Sequence, residues 1–207
     1  MLLTNPIDII QALGFDQMVD ITNAATMALD ASEAQLASIL NTDFAQATNT
    51  DTFFVRQPPY MDGPACETEF RLKQAFVTAL TSVRCAPTVA GFSDSTQYTD
   101  VTANVICDND RGVVQDFETR YNRQWVQITY TAGFPPDTTL SPPTSYLMTS
   151  VPDWLQQAAR LNALIGMADS PVLSEAQIKL DVATLKVQYT ALISRKTRYA
   201  PLAILPF

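Results

Sequence analysis

The hydrophobic period of this chain changes twice along its length, and those changes limit its fold more than any other feature. Up to about residue 45 apolar residues recur every three or four positions; from about 52 to 134 they alternate; beyond 152 the helical spacing returns. A stripe at helical spacing cannot be buried by a strand, nor an alternating face by a helix. The order is therefore helices, then an antiparallel β insertion, then helices. Because the two helical parts flank the insertion, the expected class is α+β: a helical bundle formed by the N- and C-terminal helices, with an inserted antiparallel β region projecting from it. The expected boundaries are 1–51 for the N-terminal helices, 52–136 for the β insertion, 137–198 for the C-terminal helices packing on the N-terminal ones, and 199–207 for an apolar tail. A chain of 207 residues suffices for one well-buried domain or two small ones.

Local signals place the elements. Asn5 can cap a short helix with Pro6 at its first position, and Gly14 ends it. A longer helix follows with Ile21, Ala25, Leu29, Ser32, Leu36 and Ile39 on one face, its small residues allowing a neighbour to approach closely. Glu69–Val77 alternates, with Phe70, Leu72 and Phe76 opposite Arg71 and Lys73, and Trp125–Ala132 alternates with Val126, Ile128 and Tyr130 on one side. Further strands are expected at 82–92, 102–107 and 112–117. The last two flank Asp108-Asn109-Asp110-Arg111-Gly112, which suits a hairpin turn. It lacks the glutamate and ligand spacing of a calcium loop. Five prolines between 134 and 152 stiffen an irregular connection. Ser150, with Pro152 and Asp153, is expected to cap a helix whose inner face is Leu155, Ala158, Asn162 and Ile165. Ser174 and Gln177 form a second capping box ahead of the stripe Ile178, Val182, Leu185, Tyr189 and Leu192.

Composition narrows the function. The chain has no histidine, which removes the commonest general base and the commonest zinc ligand. Cys66, Cys85 and Cys107 stand 19 and 22 residues apart, a spacing of no zinc or redox motif, and read as small buried hydrophobes. There is no phosphate-binding glycine loop and no nucleophile elbow. An enzyme is not expected, and neither is a cofactor or a metal. The net charge of −8 argues against ordinary affinity for nucleic-acid phosphates. Arg120, Tyr121, Arg123 and Trp125 could stack on bases, but on an acidic protein they read as a strand-edge cluster. No apolar run approaches the ~20 residues that span a bilayer, so no membrane association is expected. The first residues lack the basic and apolar regions of a secretory leader, and cytosolic synthesis is expected.

The charge is segregated. Residues 1–55 carry seven acids (Asp8, Asp16, Asp20, Asp30, Glu33, Asp43, Asp51) and no base, whereas after Asp181 come Lys186, Arg195, Lys196 and Arg198 and no acid. Such an arrangement serves either as solvated helix faces or as a head-to-tail assembly presenting opposite charges to different neighbours. The chain ends in Tyr199-Ala-Pro-Leu-Ala-Ile-Leu-Pro-Phe207, nine apolar residues that two prolines keep out of a helix. This tail either folds back on its own core or docks into another chain behind a basic rim.

Ile128-Thr-Tyr-Thr-Ala-Gly-Phe-Pro-Pro136 followed by Val151-Pro-Asp-Trp-Leu-Gln-Gln-Ala158 resembles the head-to-tail connector proteins (adaptor or head-completion proteins) of long-tailed bacteriophages. In these a strand of the type V-T-Y-T-A-G-(Y/F) leads through a proline loop to V-P-x-x-L-(K/Q)-x-A at the start of a helix. The likeness extends more loosely over residues 4–168, through the alanine-rich helix, Leu40–Phe44, the strand Thr52–Val55 and the hairpin ending Asp110–Val114. Where family members often carry a Tyr-Glu-x-Arg-like stretch, this chain reads Ala163–Asp169 without it.

The resemblance implies a structural protein of the virion neck, made in the host cytoplasm. It implies a homo-oligomeric ring, commonly twelve-fold, that joins the portal protein to the next neck or tail protein and extends the DNA channel, with DNA passing through without specific binding. On that basis Asp16, Asp20, Asp30, Glu33, Asp108 and Asp110 are candidate channel-lining acids. Arg195, Lys196, Arg198, Tyr199, Leu202, Ile204, Leu205 and Phe207 are candidate portal-binding residues. The alternatives are another neck or tail completion protein such as a stopper, or a cytosolic hydrolase or sugar-binding domain with a β insertion.

Overall fold

The computed structural model describes residues 1–15, 19–55, 68–116, 123–139, 141, 143–175 and 178–197. Within them the chain is α+β, with five α-helices and antiparallel sheet. It divides into two compact units: Met1–Asn41 with the described residues from Phe134 onward, and Thr42–Gly133. The sheet begins at Ala47 rather than 52, so the expected boundary at 51/52 falls inside the first strand.

In the first unit, helix α1 (Pro6–Ala12) starts as its sequence dictates. The Asn5 side chain accepts the Ile7 N–H at 3.0 Å, and Gly14 at φ +80° turns the chain away. Helix α2 (Val19–Leu40) buries Ile21, Ala25, Leu29, Ser32 and Leu36. Ile39, expected on that face, is exposed and Leu40 is buried instead, because the buried stripe drifts around a helix that has 3.6 residues per turn. The small residues of α2 let helix α3 (Asp153–Met167) come close enough for the Ser32 hydroxyl to donate to the Ala159 carbonyl at 3.1 Å. Helix α3 buries Leu155, Ala158, Ala159, Leu161, Ala163 and Met167; Asn162 and Ile165 are half-buried.

Ser150 does not cap α3. Pro152 occupies the cap position, and the Ser150 hydroxyl turns back to the Leu147 carbonyl within a short 3₁₀ turn at Met148–Ser150. Gln156 instead reaches back with its side-chain amide to the carbonyls of Met148 and Val151, at 3.1 and 2.9 Å. The expected box at Ser174 and Gln177 is also displaced: Ser174 lies inside the short helix α4 (Pro171–Glu175), and Gln177 is outside the described residues. Helix α5 (Val182–Thr197) is capped by Asp181, which accepts the Thr184 hydroxyl at 2.6 Å and its N–H at 3.1 Å. Those two bonds hold the Asp181 carboxyl below its ordinary value of 3.8. The cap is therefore complete above that pH and is lost as the pH falls beneath it. Helices α1 and α3 pack on α2, and α5 packs on α3. Arg160 of α3 pins α1 by hydrogen bonding to Thr4 and pairing with Asp8.

The second unit holds two antiparallel sheets. Strands β1 (Ala47–Val55), β3 (Val77–Ala86), β4 (Thr99–Asp100) and β7 (Gln124–Ala132) form one sheet in the order β1-β7-β3-β4. Strands β2 (Thr68–Arg71), β5 (Val105–Asp108) and β6 (Val113–Asp116) form the other in the order β2-β6-β5. The alternation read in β7 holds: Val126, Ile128, Tyr130 and Ala132 all point into one core with Phe70, Leu72, Val83 and Val114. The hairpin at 108–112 also holds, with Cys107 opposite Val114 and Gly112 at φ +62°. A side chain on Gly112 would collide with the Gln74 carbonyl.

Glu69–Val77 is not one strand. The chain leaves the smaller sheet after Arg71, bends through 72–76 with Phe76 at φ +55°, and enters the larger sheet at Val77. Three successive amides are taken by side chains instead of a neighbouring strand. Lys73 N–H donates to Asp51 at 2.7 Å, Gln74 N–H to the Tyr130 hydroxyl at 3.2 Å, and Ala75 N–H to the Thr42 hydroxyl at 3.2 Å. The Tyr130 hydroxyl in turn donates to Asp51 at 2.8 Å. The expected strand at 82–92 ends earlier, at Ala86, because Pro87 cannot donate to the ladder and a 3₁₀ turn capped by Thr88 follows. The strands expected at 102–107 and 112–117 are shorter, at 105–108 and 113–116.

Two outcomes follow. Tyr130→Phe removes one of the two neutral donors, the other being the Lys73 N–H, to a carboxylate that is only 3% exposed. It should lower stability by about 2 kcal/mol in urea denaturation; an unchanged midpoint would show that the corner stands without it. Burial raises the thiol pKa of both Cys85 and Cys107, the latter up to about 11 with help from Asp108. In a Cys66→Ser background a thiol reagent at pH 8 should therefore react with the native protein at least 100-fold more slowly than with the protein in urea.

Candidate functional site

The stretch that carries the connector resemblance is continuous in space as well as in sequence. Strand β7 ends at Gly133, whose φ of +89° and close approach to the Ala45 carbonyl exclude a side chain. Its N–H donates to the Phe76 carbonyl at 3.0 Å. The next residue, Phe134, is buried in the first unit against Tyr146, with ring centroids 6.0 Å apart. The proline connection is held by backbone bonds from Leu147 to Pro135 at 2.8 Å and from Leu2 to Thr144 at 3.0 Å. Val151 is buried, and α3 begins two residues later. The Y-T-A-G and V-P elements thus mark the passage of the chain from one unit to the other.

The candidate channel acids do not form one group. Asp20 and Asp30 lie exposed on α2. Glu33, on the same helix, is half-buried and accepts the Tyr146 hydroxyl at 2.9 Å, so it serves the packing of the proline connection. Asp108 belongs to the β5–β6 turn, where it accepts the Arg111 N–H at 3.3 Å and pairs with its guanidinium at 3.6 Å. Asp110 is exposed in that turn, and Asp16 lies outside the described residues. Among the other acids of the first 55 residues, Asp8 is paired with Arg160 and Asp51 is buried at the corner. The acidity of this segment, uniform in the sequence, therefore divides into structural carboxylates and a few exposed ones.

Of the candidate portal-binding residues, Arg195 and Lys196 occupy the last turn of α5. Arg198, Tyr199, Leu202, Ile204, Leu205 and Phe207 lie outside the described residues.

Sequence reading did not anticipate several exposed apolar side chains, among them a pair on the helices and an aromatic pair on the larger sheet. Met27 on α2 and Val187 on α5 are 73% and 69% exposed. Phe54, exposed on β1, packs with its ring tilted against Trp125 of β7, centroids 5.0 Å apart. The helical pair could have been found by noting that neither belongs to the apolar stripe of its own helix. A groove of about 310 Å³ between α2 and α3 is lined by Ala28, Ala31, Gln35, Asn162 and Gly166. Its two amides already bond each other at 2.9 Å. Among the described residues no three His, Cys, Asp or Glu side chains are placed to hold a metal ion, and no helix is long and apolar enough to cross a membrane. Compared with known protein families the chain matches none, and no curated protein is similar to it at a significant level.

Proposed function

We propose that this chain is a structural neck protein of a long-tailed bacteriophage, whose copies form a ring joining the portal to the next neck or tail protein and extending the DNA channel. In this reading the helices of both ends make the bundle that builds the ring, and the β unit projects from it. The observation that carries the proposal is the 126–158 stretch, in which the Y-T-A-G strand, the proline connection and the V-P-opened helix follow one another as they do in the connector family. Two further features support it. The net charge of −8 disfavours capture of DNA phosphates, as suits a wall past which a genome must slide. The opposite charges of the two ends suit contacts between different faces of identical copies.

The apolar tail, Leu202, Ile204, Leu205 and Phe207 behind Arg195, Lys196 and Arg198, is the proposed portal anchor. Each such contact is modest, but a ring repeats it in every subunit, so avidity multiplies the effect.

The first test is the native mass of the purified protein, alone and mixed with portal-bearing heads. A ring in isolation, or a monomer that becomes a ring on the portal, is expected; a monomer that ignores the heads under all conditions overturns the proposal. Deleting residues 199–207 should leave a folded protein whose binding to portal-bearing heads falls at least 10-fold. Undiminished joining would place the tail in the protein's own core.

A further inference from the structure

In the larger sheet, Val83 and Cys85 of β3 and Val126 and Ile128 of β7 face the core, so the residues between them stand on the opposite face. There the strand register sets Arg84 between Asp100 of β4 and Gln127 of β7, and it sets Trp125, diagonal to Arg84, beside the exposed Phe54 of β1. Arg84 is half-buried, and its Nε is enclosed without an acceptor. Its guanidinium lies over the Tyr98 ring at 4.6 Å, but among the described residues it joins no carboxylate. Asp100 spends its own carboxylate on the Thr102 N–H and hydroxyl, at 2.9 and 2.6 Å. A half-buried cation left without an anion is costly, and an enclosed donor without an acceptor adds to the cost.

Helix α2 of the first unit offers the complementary set. It contains no base, and its exposed Asp20, Met27 and Asp30 lie within about 80° of one another around the helix, opposite the buried Leu29 and Leu36. Met27 is 73% exposed, and neither aspartate has a partner among the described residues. Asp30 is one turn from Met27, so their side chains are surface neighbours. One surface thus sets a carboxylate beside a methionine, and the other sets a guanidinium beside an aromatic pair. The spacings agree as well. Residues one turn apart on a helix stand about 5–6 Å apart, and diagonal neighbours on paired strands about 7–8 Å, a difference that long methionine and arginine side chains span.

We infer that α2 of one copy docks on the larger sheet of the next, with Asp30 on Arg84 and Met27 against Phe54 and Trp125. A carboxylate gives the guanidinium the acceptors it lacks, and a thioether packs favourably on aromatic rings. A second copy is the occupant because one chain carries both halves of the contact, complementary in charge and in apolar chemistry. The inference rests on the ring-forming reading and names the contact by which the ring propagates: the β unit of each copy holds the helical unit of its neighbour. The two surfaces differ, so the contact is heterologous, and its repetition builds a ring when the rotation closes. This assignment takes Asp30 away from the channel wall: a carboxylate facing a neighbour's arginine does not face the genome.

A charge swap tests it. Asp30→Arg and Arg84→Asp are made singly and together in one chain, with Met27→Ser as a third variant, and circular dichroism verifies their folding. Assembly is followed by sedimentation velocity, alone and on portal-bearing heads. The wild type should assemble, and more weakly as salt rises. Each single charge variant should assemble at least about 10-fold more weakly, because the contact now opposes like charges. An equimolar mixture of the two, and the chain carrying both, should recover assembly, since opposite charges meet again. Met27→Ser, on an exposed position, should weaken assembly about 10-fold while leaving the fold intact. Should Arg84→Asp not fold, Arg84→Gln and Asp30→Asn are compared singly and together: non-additive losses support the contact and additive losses overturn it. Single charge variants that assemble like the wild type, or losses that neither the mixture nor the double variant recovers, overturn the α2–sheet contact while the ring reading stands. If the urea midpoint of the monomer falls in each single variant and returns in the double, the two residues meet within one chain, which removes the second copy. Normal self-assembly with weakened binding to the heads gives the Arg84 face to a different protein and overturns the inference. A wild type that stays monomeric alone and on portal-bearing heads removes the ring and the interface together.

Discussion

The β unit depends on a buried carboxylate. Asp51 sits in the middle of β1, where its side chain faces the core. An isolated charge there would be costly, and the cost is offset by two short hydrogen bonds, one from the Tyr130 hydroxyl and one from the Lys73 amide. Lys73 also brings its ammonium to 3.6 Å, but that group is largely in solvent and adds little. The consequence is architectural. By capturing the Lys73 and Gln74 amides, Asp51 and Tyr130 stop β2 from continuing and turn the chain from one sheet into the other. Burial and the adjacent carboxylate push the Tyr130 phenol far above its ordinary titration range, so it keeps the proton that it donates to Asp51.

That corner in turn organises its surroundings. Gln74 accepts from the Thr42 hydroxyl at 3.0 Å and the Asp43 N–H at 2.7 Å, fixing the approach to β1. Leu72 and Val77, on either side of the bend, donate to the carbonyls of Gly112 and Asn109 at the tip of the β5–β6 hairpin. Phe76 accepts from Gly133 at the end of β7. Glycine is required at both 112 and 133 because the backbone of another segment passes where a side chain would be. The corner therefore holds the hairpin tip, the end of β7 and the entry to β1 in mutual register.

In the helical unit small residues play the corresponding part. Ala25, Ser32, Ala158, Ala159 and Ala163 let α2 and α3 approach closely enough for a side-chain-to-backbone bond between them. Such packing leaves Asp20 and Asp30 of α2 and Lys186 of α5 exposed. The stretch that leads from β7 through the proline connection into α3 is the one that resembles the connector family.

The pattern of residues alone determined the helix–sheet–helix order, the Asn5 cap, the inner face of β7, the hairpin at 108–112 and the burial of Cys85. All of these rest on local periodicity or on turn and cap chemistry within a few residues. Tertiary structure decided the corner at 72–76, since its partners Asp51, Tyr130 and Thr42 are up to 56 residues away in sequence and the alternation of Phe70, Leu72 and Phe76 reads the same through a bend as along a strand. It decided the starts of α3 and α5, where Pro152 and Asp181 displaced the hydroxyls that the capping pattern favoured. It also sorted the N-terminal acids. Seven carboxylates look alike in a sequence, but whether one is paired, like Asp8, buried, like Asp51, or exposed, like Asp20 and Asp30, depends on which distant group folds against it.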